Sequence, residues 1–235
     1  MHVEVDYHGA VNAVATQENP PWGLDRIDQK TLPLNNEYTY LDTAGDGVDI
    51  YVVDTGININ HTEFEGRAVW GVTVRTDGAP DYDDNGHGSH VAGIAGGKTY
   101  GAAKAVKLIA VKALDGNGAG PFSELIDGLQ WVARTAPGTG RPSVVNLSIQ
   151  GAVSQALNQA CTGLITLGIH VISATGNSGE DACGYSPAVI APQTAIISVG
   201  AVDDTDAVPP FSNYGACVSL LGPGVNILSV DGCKG

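Results

Sequence analysis

Three polar residues in this chain each follow a short apolar run and carry groups that could do chemistry together. Asp54 closes Val48-Asp-Ile-Tyr-Val-Val-Asp54 and precedes Thr55-Gly56. A carboxylate there can orient a partner group, or simply form the turn. His87 lies within Asn85-Gly-His-Gly-Ser-His-Val-Ala-Gly93. An imidazole between two glycines can approach other groups closely, as a general base must; the plainer reading is a capping or buried histidine. Asn177 follows Ile172-Ser-Ala-Thr-Gly176 and offers a side-chain amide to a developing oxyanion, or another turn. Two other chemistries fare worse. His87 and His90 stand one helical turn apart, as zinc ligands can, but no third ligand can be placed beside them. Asp-Thr-Gly also suits a paired-carboxylate site, which needs two copies where this chain has one.

The elements that must position these groups can be read from periodicity. Val48–Asp54, Lys107–Leu114, Ser143–Ile149, Ile169–Thr175 and Thr194–Val202 are strand-length and rich in Val and Ile. Between them, Ser123–Arg134 sets Leu125, Ile126, Leu129 and Val132 on one helical face, with Ser123 expected as the N-cap. Ser154–Leu167 does the same with Leu157, Ala160, Cys161, Leu164 and Ile165, and Gly168 is a fitting stop. The small residues from Ala92 to Gly97 would let a helix pack tightly on a sheet. Strands alternating with helices imply an α/β fold of three layers, a mostly parallel sheet flanked by helices. Such sheets bind ligands at the carboxyl ends of their strands, where Asp54 and Asn177 fall. His2–Tyr7 alternates like a lone strand, and Gly9–Gln17 reads as a linker.

The net charge of −14, with only 11 basic residues, excludes a phosphate-binding face and so a nucleic-acid partner. No apolar run is long enough to span a membrane. Residues 1–20 show no basic start followed by an apolar stretch, so no secretory signal is visible in them. The four cysteines include no C-x-x-C pair, and their number alone leaves two disulfides, one or none open.

Taken in order, Val52-Val-Asp-Thr-Gly56, Asn85-Gly-His-Gly-Ser-His-Val-Ala-Gly93 and Ala174-Thr-Gly-Asn177 closely resemble the subtilisin-like serine proteases. Phe64-Glu-Gly-Arg67, Thr99-Tyr-Gly101, Tyr185-Ser-Pro-Ala188 and Phe211-Ser-Asn-Tyr-Gly215 are similar to the proteinase K and aqualysin branch. The resemblance implies a serine endopeptidase working through an acyl-enzyme, with Asp54 holding the tautomer of His87, the general base. It makes His90 structural and Asn177 the side-chain half of an oxyanion hole; the order Asp, His, Ser is that of subtilisin. It further implies that substrate backbone pairs between Gly118-Ala119-Gly120 and Ser148-Ile149-Gln150-Gly151, beside Ala174-Thr175-Gly176, with Phe122 as an aromatic lid. It pairs Cys183 with Cys217, hence an oxidising, extracellular setting. Cys161 is then a buried free thiol and Cys233 has no evident partner. Residues 1–14 read as a propeptide remnant and 15–235 as the peptidase domain. Expected partners are protein or peptide substrates and the protein's own propeptide, with a monomeric state.

The chain also departs from that pattern. The family's nucleophile opens a buried helix in a Gly-Thr-Ser-Met-Ala-type motif, which has not arrived by Gly235. The chain as given is therefore expected to be inert, a protease by descent or else a non-catalytic product that binds peptide or propeptide. Gln150 replaces a glycine in the wall of the primary specificity pocket. No cofactor is needed for the chemistry. A structural calcium fits poorly, because Ser219 stands where the family uses a carboxylate. The acidic loop with Asp77, Asp81, Asp83 and Asp84 offers weak calcium binding or a solvated face.

Overall fold

The computed structural model describes residues 13–232. Its strands are β1 (Val14–Glu18), β2 (Glu37–Leu41), β3 (Asp49–Asp54), β4 (Ala68–Thr73), β5 (Lys107–Lys112), β6 (Ser143–Leu147), β7 (Gly151–Ala152), β8 (His170–Ala174), β9 (Tyr185–Ser186), β10 (Ile197–Val202) and β11 (Leu220–Pro223). The helices are α1 (Trp22–Asp28), α2 (His87–Gly96), α3 (Phe122–Thr135) and α4 (Gln155–Thr166). Seven strands form one parallel sheet in the order β11-β10-β8-β6-β3-β5-β4.

The period of two along β3 divides the core. Tyr51 and Val53 face one side, where Ile109, Val111, Val145 and Leu147 meet Leu125, Leu129 and Val132 of α3 and Leu157, Cys161 and Leu164 of α4. Val52 faces the other side and packs with Leu108, Ala110, Phe64 and Ala92 of α2. Two helical layers around a sheet buried on both faces explain why its strands read as nearly continuous apolar runs.

Helix α2 approaches closely because its inward residues are small: Gly88, Ser89, Ala92, Gly93 and Gly96 are buried. At Gly88 the contact is closest. A Cβ there would lie 2.0 Å from the carbonyl oxygen of Gly56, so the turn after β3 and the first turn of α2 can touch only through glycine.

Strand order reverses direction at β3, with β5 and β4 on one side and β6, β8, β10 and β11 on the other. The crevice at the carboxyl ends of β3, β6 and β8 therefore opens at a switch point. Helix α1 is fastened far along the chain. The Trp22 indole donates to the Val225 carbonyl at 3.1 Å, and the Arg26 guanidinium pairs with Asp206 at 2.7 Å.

Three expectations need correction. Val14–Gln17 is not linker: it forms most of β1, paired antiparallel with β2, through backbone bonds that need little apolar content. Ser123 does not cap α3; Pro121 holds the N-cap position, and its fixed φ suits a helix entry. Strands β4 and β11 were not foreseen, since Ala68–Thr73 and Leu220–Pro223 sit at the edges of the sheet and carry little alternation. The strand expected over His2–Tyr7 lies outside the described residues.

Candidate active site

The three polar groups meet at one crevice. Asp54, at the end of β3, is wholly buried, and both carboxylate oxygens accept from His87 Nδ1 at 2.8 and 2.9 Å. The other side of the imidazole faces outward, with 48% of the side chain exposed. The bond from Asp54 raises the pKa of His87 above its ordinary value; partial burial opposes this, and the charges of Asp54 and Asp83 add to the rise. Asp54 also accepts from the Thr55 amide at 2.7 Å, which fixes the carboxylate plane.

His87 is the first residue of α2, where helical amides lack intrahelical partners. Side chains from outside the helix take them in turn. The His87 amide donates to Asn85 Oδ1 at 3.1 Å, Gly88 to Thr55 Oγ1 at 2.9 Å, and Ser89 to Asp83 Oδ2 at 2.9 Å. Asp83 also receives the Thr55 hydroxyl, the Ser89 hydroxyl and the amides of Asn85 and Gly86. Burial alone would raise its pKa, but those donors outweigh it and hold the carboxyl below the ordinary value. Lys112, fully buried at the end of β5, donates to the Thr55 carbonyl at 2.7 Å and to Asp84 at 2.5 Å. The turn after β3 and the start of α2 thus form one hydrogen-bonded block that carries Asp54 and His87.

A cleft of about 570 Å³ opens in front of His87. Its lining includes Gly118, Ala119, Gly120 and Phe122, the Ser148–Gln150 wall, and a wall of Ala174, Gly176 and Asn177. Phe122 does two jobs, since it also packs on the α3 core. The Gly118–Gly120 edge is braced: Asp115 accepts from the Asn117 and Ala119 amides at 2.9 and 3.0 Å, and its own amide donates to the Ala119 carbonyl. Two expected residues lie off the cleft. Gly151 supports Phe122 from beneath, and Thr175 is buried behind the wall, donating to the Val199 carbonyl at 3.2 Å.

A second groove of about 630 Å³ runs between α2 and the sheet, lined among others by Val91, Ile94, Ile172, Thr175 and Val199. It shares Ser148, Ala174, Gly176 and Asn177 with the first cleft, so these residues form a partition between the two.

Residues 45–234 match the Subtilase family. The chain belongs to that family. It is 49% identical over 228 residues to an extracellular serine proteinase of Thermus sp. (strain Rt41A), covering 97% of this chain and 53% of the relative. Against alkaline serine exoprotease A of Vibrio alginolyticus it is 47% identical over 219 residues, covering 93% and 40%. This subtilase therefore spans about half the length of the relatives it matches. A crystal structure of a cold adapted subtilisin-like serine proteinase superposes with a TM-score of 0.85 at 43% identity, over 92% of this chain and 76% of that one. The three-layer α/β fold expected from the sequence is thus the subtilisin-like one.

Several expectations of the subtilase site find their outcome here. Cys183 and Cys217 are bonded, with Cα atoms 5.2 Å apart. Cys161 is free and buried, and burial pushes its thiol up to about 12. Cys233 lies outside the described residues. His90 turns Nε2 to the Ile227 carbonyl at 3.2 Å, away from His87, so the two histidines do not converge on a metal. The acidic loop is exposed at Asp77, Asp81 and Asp84, as a solvated face would be, and buried at Asp83. Asp77 pairs with Arg75, Asp81 accepts from Thr73, Asp83 is buried among its five donors and Asp84 holds Lys112. Ser219 is bound to Ser198 of β10 through amide and hydroxyl. Among the described residues no group of three His, Cys, Asp or Glu is placed to hold a metal ion.

Sequence reasoning missed Asn85, Thr55, Asp83, Ser89 and Lys112 as parts of the site. Asn85 carried a usable signal, because an Asn two residues before a helix start is a ready acceptor for that helix's first amide.

Proposed function

We propose that this chain is the greater part of the catalytic domain of an extracellular serine endopeptidase that cleaves protein and peptide substrates. The observation that carries the reading is the buried Asp54 bonded to His87 on the lip of a cleft that also holds the Asn177 amide. With Nδ1–H committed to Asp54, the imidazole has Nε2 as its basic nitrogen. A serine hydroxyl beside Nε2 would give up its proton as its oxygen bonds to the scissile carbonyl carbon. The Asn177 carboxamide would donate to the oxygen that becomes negative. His87 would return the proton to the departing amine, leaving an acyl-enzyme that water then hydrolyses by the same steps.

The nucleophile is proposed to come from outside the described residues. Within them, Ser229 donates to the His90 carbonyl at 2.7 Å, and Ser212 to the Asn213 carbonyl at 3.2 Å while accepting from the Ala201 amide. Neither hydroxyl is turned to His87. The groove behind the partition is proposed to take the segment that carries the nucleophilic serine and to set it in the cleft beside Asn177; its apolar lining of Val91, Ile94, Ile172 and Val199 supports this. Without that serine the chain is proposed to bind peptide between Gly118–Gly120 and Ser148–Gly151 and not to cleave it. Residues 1–14 are proposed to be the remnant of a propeptide, cut near Ala15. The mature protein is proposed to be a monomer. Among the described residues no helix is long and apolar enough to cross a membrane.

A serine-directed fluorophosphonate tests this reading. The folded full-length gene product should be labelled at one serine outside residues 13–232, and His87→Ala should abolish labelling. Absence of labelling in the folded, propeptide-free full-length protein would overturn it.

A further inference from the structure

Gln150 does more than line the cleft. It projects from the Ser148–Gly151 wall and spans to the facing wall. Its Oε1 accepts from the Asn177 amide at 2.5 Å, and its Nε2 donates to the Ser178 hydroxyl at 2.8 Å. The carboxamide packs against Gly176, whose φ is +109°; a Cβ at that position would be 2.0 Å from Gln150 Oε1. The space over the Gly176 backbone, which a substrate side chain could otherwise enter, is therefore filled by a polar cross-brace. That brace ends on the amide of the residue whose side chain faces the reacting carbonyl.

We propose that Gln150 is the specificity-determining residue of this cleft, shutting its deeper part to large apolar side chains and selecting short ones just before the scissile bond. The proposal rests on the protease reading, which sets the substrate carbonyl beside Asn177 and hence the preceding side chain between these two walls. A bulky ring entering there must break both Gln150 bonds and strip water from the carboxamide without replacing either partner. An alanine side chain needs neither. Pocket-size effects of this kind change selectivity by about 10–200-fold.

The test compares peptide p-nitroanilides ending in Ala or Phe on the full-length protein. The unaltered protein should favour Ala, and Gln150→Gly should raise the Phe-to-Ala ratio of kcat/KM by about tenfold or more. Ser178→Ala, which leaves Gln150 in place but cuts one of its two bonds, should move the ratio the same way by less. A ratio that stays within about twofold in both variants overturns the proposal. Anisotropy of fluorescent peptides with a C-terminal Ala or Phe carboxylate, on the same proteins, separates the two readings. Binding that shifts from Ala to Phe in Gln150→Gly without any hydrolysis supports the Gln150 role and removes the protease. Hydrolysis with an unmoved ratio keeps the protease and removes the Gln150 role.

Discussion

His87 Nδ1 sits between the two carboxylate oxygens of Asp54, 2.8 and 2.9 Å away, while the rest of the ring reaches the cleft. A buried anion on one side and an accessible nitrogen on the other set both the tautomer and the basicity of the imidazole. Because Asp54 raises the His87 pKa, the neutral base should fill in only as pH climbs past its ordinary value near 6.5. The acid limb of kcat/KM in the full-length enzyme is thus expected above that pH. Asp54→Asn removes the largest cause of the rise, so the limb should move down while the rate falls about 10⁴-fold. A limb that stays in place in the variant would show that Asp54 does not govern the base.

Asp83 should matter to stability as much as to position. Asp83→Ala strands five donors, among them the Ser89 amide and the Thr55 hydroxyl that serve the first turn of α2. The expected cost is more than about 3 kcal/mol in urea unfolding, with Asp83→Asn intermediate because a carboxamide offers one acceptor oxygen. A change within about 0.5 kcal/mol would refute the bracing role. The pH sign follows from the lowered carboxyl. Its contribution is present above the ordinary carboxylate pKa and is lost as pH falls through the folded value.

Cys183 and Cys217 close a loop across 34 residues at the edge of the fold. Replacing both by serine should destabilise the domain by about 2–4 kcal/mol. A proteolytic map without reduction should recover their peptides joined. Native protein should leave Cys161 unmodified by thiol reagents, since burial both shields it and suppresses its thiolate. Recovery of Cys183 and Cys217 as free thiols under denaturing, non-reducing conditions would contradict the bond.

Much of this was legible before any coordinates. Strands β3, β5, β6, β8 and β10 announce themselves by continuous Val and Ile runs because both faces of a parallel sheet are buried. Helix α4 was legible in its apolar face and in its stop, Gly168 at φ +79°; the cap that Ser154 Oγ provides by accepting from the Leu157 amide was not read. What stayed hidden was long-range. The glycines around His87 suggested room for the imidazole to approach its partners. The tightest need is instead at Gly88, against a backbone oxygen more than thirty residues earlier. Asp83 looked like one acid among several, and only the fold turns Thr55 and Ser89 toward it. Nothing local in Lys112 marks it as buried, because its partners come from the turn after β3 and from the loop before α2.

The fastening of α1 has a consequence in time. Trp22 and Val225 are 203 positions apart, and Arg26 and Asp206 are 180 apart. These contacts cannot form until nearly the whole chain has been gathered, and the parallel sheet between them is itself built from crossovers. Search through such distant pairings is slow, and little of its entropy is recovered until late. The same lateness works in reverse once the domain is assembled, because contacts absent from the transition state hold back unfolding. How long such a fold persists is then set by a slow exit from the native state more than by a deep one.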